Sequence, residues 1–91
     1  MSAKFELGTT VATPGALAAI REAGQSAIEF FQRHAACDWG DLDSHDLKEN
    51  EIALQDGGRL MSSYKTRKED AIWIITEADR SSTCILLPSE Y

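Results

Sequence analysis

Of the hydrogen-bonding and ionisable side chains between Thr76 and Thr83, those of Thr76, Glu77, Asp79, Arg80, Ser82 and Thr83 form the strongest constellation in the chain. An Asp beside an Arg can form a charge-assisted pair that fixes a loop. The planar fork of Arg80 equally suits a carboxylate or phosphate brought from outside. Glu77, Asp79, Arg80 and Thr83 therefore make a candidate docking site. With His45 added, the three charged residues are the parts of a small acid–base or ligand-binding site.

A second concentration lies between Asp38 and Asp56. Its acids are Asp38, Asp41, Asp43, Asp46, Glu49, Glu51 and Asp56, opposed only by Lys48, and the rest of the chain balances, so the net charge of −6 resides here. Phosphate contacts need a basic footprint, so direct nucleic-acid binding is disfavoured. An acidic face instead suits a basic protein partner. Trp39, Asp41, Asp43, Asp46 and Asn50 are the candidate contact residues, although helix capping and first-turn acids also explain several of these positions.

Other chemistries find little support. Asp38, Asp41, Asp43, His45 and Asp46 offer metal ligands at close spacing, but the order of an EF-hand loop and the His-Glu-x-x-His of a zinc hydrolase are both missing. No nucleophile elbow, Gly-rich phosphate loop or cofactor motif is present. His34 and Cys37 stand three apart, which makes them neighbours without activating either. His34, near the end of a helix, suits the helix dipole from the surface. Cys37 and Cys84 read as small packing residues.

The elements that must position these groups follow from spacing and end signals. Phe5, Leu7, Thr9 and Val11 alternate with polar residues or Gly8, which predicts a first strand. Thr13-Pro14 caps a helix over about 14–23 that Gly24 ends. Ser26 and Glu29 form a capping-box pattern for a second helix whose stripe is Ile28, Phe31 and Ala35, widened by Phe30. Asp43 or Ser44 opens a third helix that runs to about Gln55, closed by Gly57-Gly58, with Leu47, Leu54 and Asn50 toward the core. Asn50 is expected to tie this helix to the hairpin-loop backbone.

Arg59–Lys65 reads as a strand with Leu60, Ser62 and Tyr64 on one face. Ile72–Ile75 and Cys84–Leu87 are apolar runs suited to buried strands around a wide polar tip. The expected fold class is α+β: a single domain over 1–91, β-α-α-α-β-β-β, with an antiparallel meander covered by helices on one face. The position of the first strand stays open. Self-association through the last strand is expected if that strand is an edge. No apolar run reaches the roughly 20 residues of a membrane span. The stretch Met1–Glu6 lacks the apolar core of a secretory signal, so the expected location is cytoplasmic.

The runs LGTTVATPGAL (Leu7–Leu17), HAACDWGDLD (His34–Asp43), HDLKENEIAL (His45–Leu54) and WIITEADRSSTCILLPSEY (Trp73–Tyr91) resemble a family of small bacterial proteins usually labelled hypothetical or plasmid-related. The resemblance covers nearly the whole chain. It implies one compact domain, carried on mobile elements in some hosts, and implies no activity, cofactor or catalytic residue. The functional expectation is therefore a small non-enzymatic interaction module with an acidic face. The alternative is a small enzyme or ligand-binding domain built on Glu77, Asp79, Arg80 and His45.

Overall fold

The computed structural model describes residues 3–91. Met1 and Ser2, part of the stretch read for a secretory signal, lie outside it. The elements are β1 (Thr9–Ala12), α1 (Pro14–Glu22), α2 (Ala27–Ala35), α3 (Ser44–Asp56), β2 (Leu60–Lys65), β3 (Ala71–Thr76), β4 (Ser82–Leu86) and a 3₁₀ turn at Pro88–Glu90. This is the expected α+β order. β2, β3 and β4 form the antiparallel meander, and β1 joins it parallel to β4, giving the order β1-β4-β3-β2. The last strand is thus interior, paired on both sides, and the expectation that it could pair with another copy as an edge is overturned.

Helix ends follow the signals in the sequence. The Thr13 hydroxyl accepts from Ala16 N–H and Pro14 occupies the first turn. Ser26 and Glu29 complete the capping box of α2. Asp43 caps α3 by accepting from Asp46 N–H at 2.9 Å, and Gly57 ends that helix at φ +82.

Period-two register sorts the sheet into two faces. Leu60, Ser62 and Tyr64 stand opposite Thr76, Ile74 and Ile72, while Ile74 and Thr76 stand opposite Ile85 and Thr83. All of these are buried on the helix side. Ala16 and Ile20 of α1 and Phe30 of α2 pack there with Tyr64, Ile72, Ile74 and Ile85. A second, smaller cluster joins Trp39, Ala53 and Leu60. Each fully buried Ile or Leu contributes on the order of 1.5–3 kcal/mol, so the sheet and these helix stripes carry most of the stability. On the opposite face Tyr91 meets Trp73 edge-on, with ring centroids 5.7 Å apart.

Two expectations about α3 need correction. Leu47 is exposed, and the helix docks through Asn50 and Ala53. Asn50 ties it to a strand, not to the hairpin tip: its amide donates to Met61 O at 2.7 Å and accepts from Met61 N–H at 3.1 Å. A side-chain amide carries the same donor–acceptor pair as a peptide unit, so Asn50 completes the outer edge of β2. Next to it, Ser63 N–H reaches Trp39 O and Asp41 N–H reaches Ser63 O. That approach requires Gly40, at φ +75, because a Cβ there would collide with the Ser63 carbonyl.

Candidate functional site

The hairpin tip, Glu77–Ser81, does not present Arg80 outward. Its guanidinium donates to Gly58 O at 2.6 Å and Ala53 O at 3.0 Å, and also to Glu77 O and Ala78 O. α3 has no basic residue in its last turn. Arg80 supplies the missing cation, meeting carbonyls at and just beyond the C-terminal end of the helix. Its backbone lies at φ +60, where Gly would cost less, and the side-chain bonds to Ala53 O and Gly58 O offset that cost.

Asp79 is not paired with Arg80. It accepts from Ser81 N–H at 3.0 Å, and the Ser81 hydrogen bonds hold its carboxyl below the usual range. Glu77 lies 3.6 Å from Arg59. His45 is in the first turn of α3 and Ala53, where Arg80 binds, is near its end, about 12 Å along the axis at 1.5 Å per residue. The convergence of Glu77, Asp79, Arg80 and His45 that an acid–base site needs is therefore absent.

The acidic stretch divides. Asp38 pairs with Arg33 Nε at 2.6 Å, and that hydrogen bond holds its carboxyl below the usual range; its backbone carbonyl accepts from the Tyr64 hydroxyl. Glu49 stands 3.6 Å from His45. Asp41, Asp43, Asp46, Glu51 and Asp56 are exposed and have no cationic partner within 4 Å among the described residues. Trp39 is buried, stacked on Phe5 and edge-on to His34. It anchors the connector and offers no face to a partner.

The largest buried polar arrangement among the described residues centres on His34. His34, expected at the surface, is 0% exposed, as are Ser62, Thr76 and Thr83. Its Nδ1 is 2.5 Å from Ser62 Oγ and its Nε2 is 2.8 Å from Thr76 Oγ1. Thr76 Oγ1 lies 2.8 Å from Thr83 Oγ1, which donates to Leu7 O at 2.7 Å.

That last bond fixes the direction of the chain from Thr83 back to the imidazole Nε2, and the neutrality of the buried ring fixes the rest. The Thr83 proton is spent on a carbonyl, so Thr83 accepts from Thr76. Thr76 in turn accepts from His34 Nε2–H, and the bare Nδ1 accepts from Ser62 Oγ–H. The neutral imidazole is the form that fits, and burial pushes its pKa down to about 4.

Ser62 donating to His34 has the pairing of an activated nucleophile. Both residues are sealed from solvent, with Phe5 and Trp39 edge-on to the imidazole at 5.3 and 5.4 Å. Their bonds instead join α2, β2, β3, β4 and the segment before β1. Thr83, named as a binding residue from the sequence, belongs to this interior chain. Alternation of Ser62 with Leu60 and Tyr64 signalled that Ser62 faces the core, and hence that a polar partner must meet it there.

The described residues contain no group of three or more His, Cys, Asp or Glu placed to hold a metal ion. No described helix is long and apolar enough to cross a membrane. The fold and these sites define a small α+β domain with a sealed polar interior and an acidic flank. No family model, curated protein or solved structure matches the chain.

Proposed function

We propose that this protein is a non-enzymatic interaction module whose acidic flank, formed by the connector and α3, binds a basic protein. The observation that carries the reading is the set of exposed carboxylates with no cationic partner among the described residues, Asp41, Asp43, Asp46, Glu51 and Asp56. Asp56 in particular lies in the last turn of α3, where the helix dipole disfavours an acid. A charge held against local stability is available for use between molecules. Consistent with this, α3 buries only Asn50 and Ala53 and leaves Ile52, 49% exposed, among its charges.

Placement in the cytoplasm, absence of direct nucleic-acid binding and kinship with small plasmid-related bacterial proteins belong to the same proposal. The test is affinity capture from a host lysate treated with nuclease. Asp43 is kept in the comparison variant, Asp46→Lys with Glu51→Lys and Asp56→Lys, because it caps the helix. A basic protein retained by the wild type and lost with the variant is the expected result. Equal retention by both chains, or retention that nuclease abolishes, overturns the reading.

A further inference from the structure

The two edges of the sheet are treated differently. The edge of β2 is filled by Asn50 at Met61 and by Trp39–Asp41 at Ser63. On β1, Thr9 N–H reaches Ser81 O at 3.0 Å and Thr13 N–H reaches Ile85 O at 2.9 Å. In a parallel ladder alternate residues face the neighbour. Thr10 and Ala12 therefore turn their N–H and C=O groups outward, and these have no partner among the described residues. Natural edges of this kind are usually blunted by a charge, a proline or a bulge. Thr9-Thr10-Val11-Ala12 has none within the strand.

We propose that β1 pairs antiparallel with β1 of a second copy, about a twofold axis at Val11, to give one continuous eight-stranded sheet. In that register Thr10 faces the partner copy's Ala12 and the two exchange both backbone hydrogen bonds, twice over by symmetry. Val11 faces its own symmetry mate in the non-hydrogen-bonded pair, where side chains come closest. Val11 is 47% exposed in the single chain, as a residue awaiting such a neighbour would be. On the helix side of the same edge lies an apolar groove of about 290 Å³, lined by Leu7, Thr10, Ile28, Phe31 and Ala35, with Ile28 64% exposed. A strand laid against Thr10 walls this groove.

Charge placement is compatible with a second copy, and the symmetric pairing of the outward groups of Thr10 and Ala12 about Val11 suits one. The acidic excess lies on the connector and α3, which pack beside β2, at the other end of the strand order from β1. Joining two copies at β1 separates their β2 strands by seven strand spacings, about 34 Å, which is several Debye lengths at ordinary ionic strength. The like charges of two −6 chains then do not oppose the contact. Because the β2 edge is filled, association closes at two copies and does not propagate into a filament.

The test is sedimentation equilibrium from about 10 μM to about 1 mM, the range in which a small interface associates. The wild-type mass should rise from 10.0 kDa toward twice that value. Val11→Lys should hold the single-chain mass throughout with an unchanged circular dichroism spectrum. Thr10→Pro, which removes an outward N–H, should do the same; if it fails to fold, Val11→Lys decides.

With Cys37→Ser and Cys84→Ser as background, Val11→Cys should cross-link under mild oxidation, since a non-hydrogen-bonded cross-strand pair meets disulfide geometry. Ile52→Cys, of similar exposure on α3, should not. A wild type that stays at 10.0 kDa, including one whose β1 edge takes only a foreign peptide, overturns the proposal. So does a dimer that Val11→Lys leaves intact, or equal cross-linking through Ile52→Cys.

Discussion

At His34, hydroxyl, imidazole and carbonyl groups from five segments each find a partner inside the chain, and none of the side chains is exposed. Between Asp41 and Asp56 the reverse holds: carboxylates stand in water, and most have no cation of their own. Both regions are polar, and the difference lies in where their partners are. Buried polar groups are costly unless every one is satisfied, so the His34 chain holds the fold in one arrangement. Exposed charges contribute little to folding and are free to act between molecules.

The sharpest way to break this contrast is His34→Ala. It empties a filled site and leaves the Ser62 and Thr76 hydroxyls short of a partner. A loss of about 3–5 kcal/mol is expected from cavity and desolvation together, measured by urea unfolding followed through Trp fluorescence. A loss under about 1 kcal/mol, typical of an exposed position, would remove the distinction between the regions.

How much of this was visible beforehand depends on what each residue's neighbours in sequence reveal. Thr13-Pro14, Ser26 with Glu29, Asp43 and Gly57 are local devices, and the helices begin and end where those devices stand. The meander followed from apolar runs and period two. The sequence places His34 at the surface because its position near a helix C-terminus explains it locally, whereas its partners Ser62 and Thr76 lie 28 and 42 residues away. Adjacency in sequence pairs Arg80 with Asp79, yet the stronger pull is from carbonyls at the end of α3, which only the tertiary fold brings near. Leu47 and Leu54 share a helical stripe, but Asn50 determines which face docks because it completes the β2 edge.

Acid sharpens the comparison from another direction. Burial lowers the His34 pKa to about 4 from an ordinary 6.5. The unfolded chain therefore binds more protons between these values, so stability is full above about pH 6.5 and falls as pH drops toward 4. At 1.36 kcal/mol per pH unit the loss through this group is about 3 kcal/mol. Urea midpoints at pH 7, 5.5 and 4, for wild type and His34→Gln, isolate it. The wild type should lose the greater amount, and parallel declines would assign acid sensitivity to the carboxylates.

Arg80 sits between the two regions, being charged yet turned inward. Arg80→Ala removes the hydrogen bonds to Ala53 O and Gly58 O at the end of α3. A cost of about 1–2 kcal/mol is expected from lost charge-assisted bonds. Amide exchange should quicken in the last turn of α3 and leave the β3–β4 ladder protected. If the loss were confined to binding, with stability and exchange unchanged, Arg80 would belong with the exported charges.

The smallest effect on folding is expected from the acidic flank itself. Glu51→Lys with Asp56→Lys touches no hydrogen-bonding side chain of the fold, and Asp56→Lys puts a base in the last turn of α3, where the helix dipole favours one; Asp46 is kept because it is the acid of the first turn. The change in stability should stay within about 0.5 kcal/mol, as at most exposed positions. Reducing the excess of negative charge also eases self-repulsion in the compact state, so a slight gain is the expected sign. Asp43→Ala alongside it should cost about 1 kcal/mol through the lost cap, which separates an acid that the fold uses from acids that it does not. A loss above 1 kcal/mol in the double reversal would place those carboxylates among the groups that hold the chain together and leave the acidic flank without its rationale as a binding surface.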